Sequence, residues 1–440
     1  MNIVASHEFR IPYMVGVYLA VNALPDVYLL TDGPDCLFFK AEYVHGAQDF
    51  HSTLLDVRGR HRVAHTLADI NSVVLDREHD IAALARRLVL ESGAGMVLIT
   101  AMPMASITGT QYDRIARTLM EETGRPVAEV PARSLQGDWL DGYAQVLAAV
   151  AQGIPLPADV TTDPETVAVV GPLMDRTEAD RLADDRELRR MLEDGLGLRV
   201  SAILPSNCTI AELADLGRAG TVISLPYGTR AAKILARRTG ATLVQAPLPF
   251  GPAGVEGFVN AVASSVGRTA QGKAFLKAER ERWFEPFGLV AAGIAGRRFA
   301  VIADPWLADA TVGLLEAAGA TVLAAQSTAQ DPKPVRGLPT ASDVESPGSI
   351  DMFLVPTRGI DFALRHARPF FEYGFTSFGT HAFFDAPVLG WGGAVNLLNS
   401  VAAAMSLFGG LGGSEDFDLR RVAASIPGAV GGSEVRDSRG

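Results

Sequence analysis

The segment Asp32-Gly33-Pro34-Asp35-Cys36 follows directly on the apolar run Val27–Leu30 and combines a thiol, carboxylates and a turn. A cysteine at the carboxyl end of a parallel strand stands where open α/β sheets bind ligands. Gly33 and Pro34 make a tight turn that exposes backbone amides and presents the thiol at the start of the next helix. Both effects favour the thiolate, the form that ligates iron or attacks an electrophile. The plain alternative is a small buried hydrophobe. Five of the eight histidines cluster at His45, His51, His61, His65 and His79. His61 and His65, four apart, are expected to share a helix face. Arg58, Arg60 and Arg62 interleave with them, which suits a ligand bearing carboxylate or phosphate and equally suits a solvated polar segment. Arg62 stands where a helical zinc-protease frame needs Glu. Farther on, His381 sits between Gly379-Thr380 and Ala382 in a loop-like stretch. There it is freer to face a ligand than in a helix core, with Phe378, Phe383 and Phe384 as candidate apolar walls.

The elements that must position these residues alternate. Short β-rich runs occur at Val27–Leu30, Met96–Thr100, Val167–Val170, Val200–Leu204, Thr221–Leu225, Phe299–Ala303, Thr321–Ala324 and Met352–Val355. Helical stretches such as Tyr112–Thr123, Glu178–Asp194, Thr229–Thr239 and Ala308–Ala318 fall between them, two of them ending at Gly124 and Gly240. Alternation of this kind predicts parallel sheets with right-handed crossovers. The spacing predicts an α/β domain over 1–158 carrying Cys36, a second over 159–292, a third over 293–408 and a flexible tail over 409–440, rich in Gly, Ser and charge.

Composition narrows the function. The chain has 440 residues, 48% hydrophobic and 20% charged, with a net charge of −11. That excludes a disordered chain and argues against a generic nucleic-acid surface. Two cysteines, Cys36 and Cys208, exclude a disulfide framework and a zinc ribbon within one chain. Cys208 reads as a residue of a strand-to-helix turn. No Walker A frame, nucleophile elbow or CxxC pair occurs. Gly251-Pro252-Ala253-Gly254 reads as a turn into a helix from about Val255. The N-terminus lacks a signal-peptide pattern, and the uncharged stretch from Ala386 to Ser414 reads as a buried helix with flanking loops rather than a membrane span. The expected location is cytoplasmic.

Several segments, taken in order, resemble nitrogenase component 1 proteins and their relatives. They are Ile203-Leu204-Pro205 with Thr209–Leu213 and Leu216–Ala219, then Ala231-Ala232 through Pro247–Gly251, then Ala300–Pro305. Tyr373-Gly374-Phe375 and Leu389–Ala394 are similar to the family's C-terminal blocks, and Gly33-Pro34-Asp35-Cys36 stands at the place of its first G-P-x-x-C, with one residue fewer between Pro and Cys. The resemblance implies three doubly wound, Rossmann-like parallel-sheet domains around a central cleft. It also implies a reductase subunit that takes electrons from a separate ATP-dependent iron protein through an iron–sulfur cluster. Of the family's three cluster cysteines only Cys36 is present; the third would fall near Ala101-Met102. The resemblance therefore implies a [4Fe–4S] cluster shared with a homologous subunit in a hetero- or homo-oligomer. Gly33, Pro34 and Cys36 would hold it, with Cys36 as the metal ligand. A small organic substrate, for which tetrapyrrole-reducing relatives are the nearer analogy, would meet Arg58, Arg60, His61, His65 and His381. Two other readings stay open: a non-catalytic scaffold for cofactor assembly, and a cluster-free small-molecule-binding protein.

Overall fold

The computed structural model describes residues 9–34, 36–55, 59–69, 77–106, 108–157, 162–329, 335–344 and 347–410. Among these, three four-stranded parallel sheets succeed one another along the chain. The first holds β1 (Val27–Asp32), β2 (Val63–His65), β3 (Met96–Ala101) and β4 (Val127–Glu129) in the order β2-β1-β3-β4. The second holds β5 (Asp163–Val170), β6 (Arg199–Leu204), β7 (Ala219–Ser224) and β8 (Thr242–Gln245), ordered β6-β5-β7-β8. The third holds β9 (Arg298–Ala303), β10 (Thr321–Ser327), β11 (Met352–Val355) and β12 (Phe370–Glu372), ordered β10-β9-β11-β12. The α/β expectation of three doubly wound parallel sheets holds.

The eight apolar runs read from the sequence all fall on strands. The four strands that the runs miss, β2, β4, β8 and β12, are three or four residues long and lie at sheet edges. Such strands are too short for a periodic signal and form because a neighbour offers its ladder. β1 and β3 are buried along their whole length, as strands covered on both faces must be. On one side, Leu30, Val97 and Ile99 pack with Ile81 and Val89 of the helix Glu78–Glu91 and Ile115 and Leu119 of the helix Tyr112–Thr123.

Helix ends follow local chemistry. Gly124 and Gly240 adopt φ of 65° and 73°, closing their helices as expected. Asp138 caps the helix Trp139–Gly153, its carboxylate accepting from the amides of Leu140 and Asp141. The helix expected from about Val255 begins instead at Gly251, because Pro252 in its first turn lacks only an amide that a helix start leaves unpaired anyway. The helix expected at His61 and His65 is absent: His65 ends β2 and His61 pairs across a bridge with Leu55. The amide of Leu29 in β1 takes the Arg62 carbonyl, so pairing with β1 decides the conformation.

The chain divides into two compact units. One comprises Ile11–Glu285 and Ala382–Ala394; the other contains Pro286–His381 and continues from Val395. In the second unit, Ile302, Phe353, Val355, Ile360 and Phe362 form a core on the third sheet. No helix among the described residues is long and apolar enough to cross a membrane.

Candidate functional site

In a β2-β1-β3-β4 sheet, chain connections diverge between β1 and β3, opening a crevice at their carboxyl ends. Asp32 closes β1 there. Its carboxylate is 1% exposed. Oδ1 accepts from the Thr66 hydroxyl at 2.6 Å and from Arg77 Nη1 at 3.1 Å, and Oδ2 accepts from the Tyr112 hydroxyl at 2.7 Å. Burial and the bond to Asp32 push the Tyr112 pKa upward, so its phenol remains a donor. The Gly33 amide donates to Thr66 Oγ1 at 3.1 Å, and the Ala68 amide to the Gly33 carbonyl at 2.9 Å. From β3, the Met102 amide donates to the Asp32 carbonyl at 2.8 Å. The Asp32 carboxylate thus ties the ends of β1 and β2 to two helices, and backbone bonds from Met102 and Ala68 hold β3 and Gly33 to the same corner. The next described residue, Cys36, is the first of the helix Cys36–Val44. Its side chain, like all of Arg58, lies outside the described residues.

At the far end of that helix, Glu42 Oε1 lies 3.0 Å from His61 Nε2, and the His45 and His61 rings meet edge to face at 6.3 Å. His65 has its pKa lowered to about 4, by burial and then by His61. At neutral pH it is therefore a hydrogen-bonding group and not the cation that carboxylate binding would call for. Arg60 is exposed, whereas Arg62 is buried and structural. Arg62 donates to the carbonyls of Thr53 at 2.6 Å, Leu24 at 3.0 Å and Val21 at 3.0 Å, and bonds Val27 O and Thr53 Oγ1 as well. His381 belongs to the other compact unit, its Nε2 3.1 Å from the Phe378 carbonyl. The Cys208 thiol lies 3.6 Å from the Ile203 carbonyl, and burial pushes its pKa up to about 11. That environment makes it unreactive.

Sequence reasoning missed most of the Asp32 hub. Asp32 lay in the motif, but its partners lie 34, 45 and 80 residues away, and no local pattern marks them. It also missed Phe50 and Glu178. Phe50 and Phe383 are 53% and 74% exposed, yet their rings stack at 6.2 Å with 28° between planes. Glu178, 1% exposed, accepts from the Phe50 amide at 3.2 Å and the Ala382 amide at 2.8 Å.

The model of the nitrogenase component 1 type oxidoreductase family matches residues 13–406. The chain belongs to that family. It is similar to the light-independent protochlorophyllide reductase subunit N of Roseiflexus castenholzii (strain DSM 13941 / HLO8). The two are 24% identical over 371 residues, 78% of this chain and 84% of that one. The corresponding subunit N of Roseiflexus sp. (strain RS-1) is 25% identical over 292 residues, 62% of this chain and 66% of that one. Among solved structures, a nitrogenase Cp1 at pH 6.5 superposes with a TM-score of 0.75 over 93% of this chain and 95% of its own, at 15% identity. A second, nitrogenase Cp1 at pH 5, gives 0.66 over 90% and 88%, at 13% identity. These structural likenesses support the fold.

A complete iron–sulfur site does not fit within this chain. A [4Fe–4S] site of the usual kind takes four thiolates, and the chain has two cysteines, of which Cys208 is half-buried with its thiol on the Ile203 carbonyl. Ala101 and Met102, near which the resemblance puts the family's third ligand, carry no thiol, and Ala101 is fully buried. Among the described residues no group of three or more His, Cys, Asp or Glu could hold a metal ion.

Proposed function

We propose that the chain is one subunit of a nitrogenase-like two-component reductase acting on a tetrapyrrole, with an ATP-dependent iron protein as electron donor. Its own contribution to the redox centre is a single thiolate, Cys36, and a homologous subunit supplies the remaining ligands. The observation that carries this reading is the Asp32-anchored turn. It brings Gly33, Pro34 and the start of the Cys36 helix to the crevice of the first sheet, in a chain matched by the family from residue 13 to 406. A first-turn position favours thiolate over thiol, because the helix start presents unpaired amides. The relatives named for protochlorophyllide reduction support the tetrapyrrole. The scaffold reading draws on one observation, the shortage of thiols in the chain.

The test is anaerobic co-expression with a homologous subunit, followed by iron and acid-labile sulfide assays. Cys36→Ser is expected to lower iron content or change the visible spectrum, while Cys208→Ser leaves both as in wild type. Equal iron in all three proteins would make Cys36 structural. A cluster that forms but is passed intact to an acceptor protein would favour the scaffold.

A further inference from the structure

Two phenyl rings stacked on each other while each stays more than half exposed are an unusual arrangement, since each large apolar side chain gains by burial. Phe50 and Phe383 form such a pair, and Phe384 beside them is 71% exposed. The backbone beneath the pair is unusually constrained. Glu178 accepts from the amide of Phe50 itself and from that of Ala382, immediately before Phe383. The Ala179 amide returns a bond to the Ala382 carbonyl at 3.3 Å. Asp184, also buried, accepts from the Val388 and Leu389 amides at 2.7 Å each. On the Phe50 side, Asp49 takes the Thr177 amide at 2.8 Å and the His51 amide at 2.9 Å. Segments more than 300 residues apart in sequence are thus clamped to the start of one helix, Ala179–Leu196, by buried carboxylates. Charged acceptors give strong bonds to amides and tolerate little displacement. Fixing an exposed aromatic surface in advance lowers the ordering cost of binding something flat to it.

We propose that the Phe50–Phe383 pair is a stacking platform for the conjugated ring of the substrate, and that Glu178 is the positioning residue that keeps its two halves in register. The assignment rests on the tetrapyrrole reading above, which supplies a flat, π-rich macrocycle as the occupant. Glu178 acts through the two amides.

Protoporphyrin IX serves as the probe, titrated into the full chain and followed by its Soret band. Phe50→Ala and Phe383→Ala are each expected to weaken binding about tenfold, the scale of losing one ring-on-ring stack. Leu135→Ala, which removes an exposed apolar side chain from a different loop, is expected to leave it unchanged. Glu178→Gln keeps the side-chain volume but only one good acceptor, and is expected to weaken binding severalfold. A 4-fluorophenylalanine at position 383 gives a readout that needs no ligand. Its ¹⁹F resonance is expected to move when Phe50 is replaced by Ala, and to move the same way in Glu178→Gln. Wild-type binding with no loss in either phenylalanine variant would overturn the platform and leave the reductase reading standing. Wild-type failure to bind, alone or with its partner subunit, would overturn the tetrapyrrole reading and the platform with it. An unmoved fluorine signal in Glu178→Gln would remove Glu178 from the positioning role. Loss of subunit association in the phenylalanine variants, with porphyrin binding intact, would assign the pair to a protein interface instead.

Discussion

Asp32 shows how much one residue can organise. Its carboxylate is buried with Arg77 as counter-charge and two hydroxyl donors. Removing one member of a buried ion pair strands the other. Asp32→Asn is therefore expected to cost about 3 kcal/mol, whereas Tyr112→Phe, which deletes one bond, costs about 1 kcal/mol. Denaturant midpoints at fixed pH give both values, and equal losses would contradict the hub. His65 supplies a pH signature. Its folded-state pKa of about 4 lies below the unfolded value near 6.5, so the unfolded chain binds the proton first. The stability it contributes is present above pH 6.5 and is lost as the pH falls towards 4, at no more than about 1.4 kcal/mol per unit. His65→Gln should flatten the stability profile across that window. An unchanged profile would show that other groups carry the acid sensitivity.

At the scale of elements, the helices Tyr13–Asn22 and Trp139–Gly153 touch backbone to backbone. A Cβ placed on Gly142 would lie 2.1 Å from the Tyr13 carbonyl oxygen, and one on Gly16 1.7 Å from that of Trp139. Neither obstacle is a flexible side chain, so the helices would have to separate. Gly142→Ala is expected to destabilise by about 3 kcal/mol, the upper end for overpacking, and thermal melting measures it; a melting temperature within a degree of wild type would refute the close packing. A similar glycine contact occurs at the second sheet. Gly171, at φ of 93°, meets Gly228 so closely that an added Cβ would lie 2.2 Å from its amide nitrogen. The contact lies just past the carboxyl ends of β5 and β7, the place that corresponds to the crevice of the first sheet.

For the whole molecule, the proposed function predicts assembly. If the chain gives one thiolate to a shared cluster, another chain must complete it. Light scattering at micromolar concentration is expected to report a dimer or a two-plus-two tetramer, with the first sheet's crevice towards the neighbour. A monomer both with and without the homologous subunit would remove the shared centre.

The sequence by itself determined the strand–helix alternation, because strands buried on both faces must read as apolar runs. The shortage of thiols was equally legible, since it is a matter of residue type alone. Four edge strands were not legible, because three or four residues become a strand only when a neighbour pairs with them. The strand at His65 replaced the expected helix for the same reason: the two patterns coincide at a spacing of four, and only β1 distinguishes them. Arg62 looked like a ligand-binding cation and became a strut, because five acceptors from Val21, Leu24, Val27 and Thr53 converge on it. The Asp32 hub and the Glu178 clamp likewise belong to tertiary structure alone, since a carboxylate acquires its role from donors that folding brings from tens or hundreds of residues away.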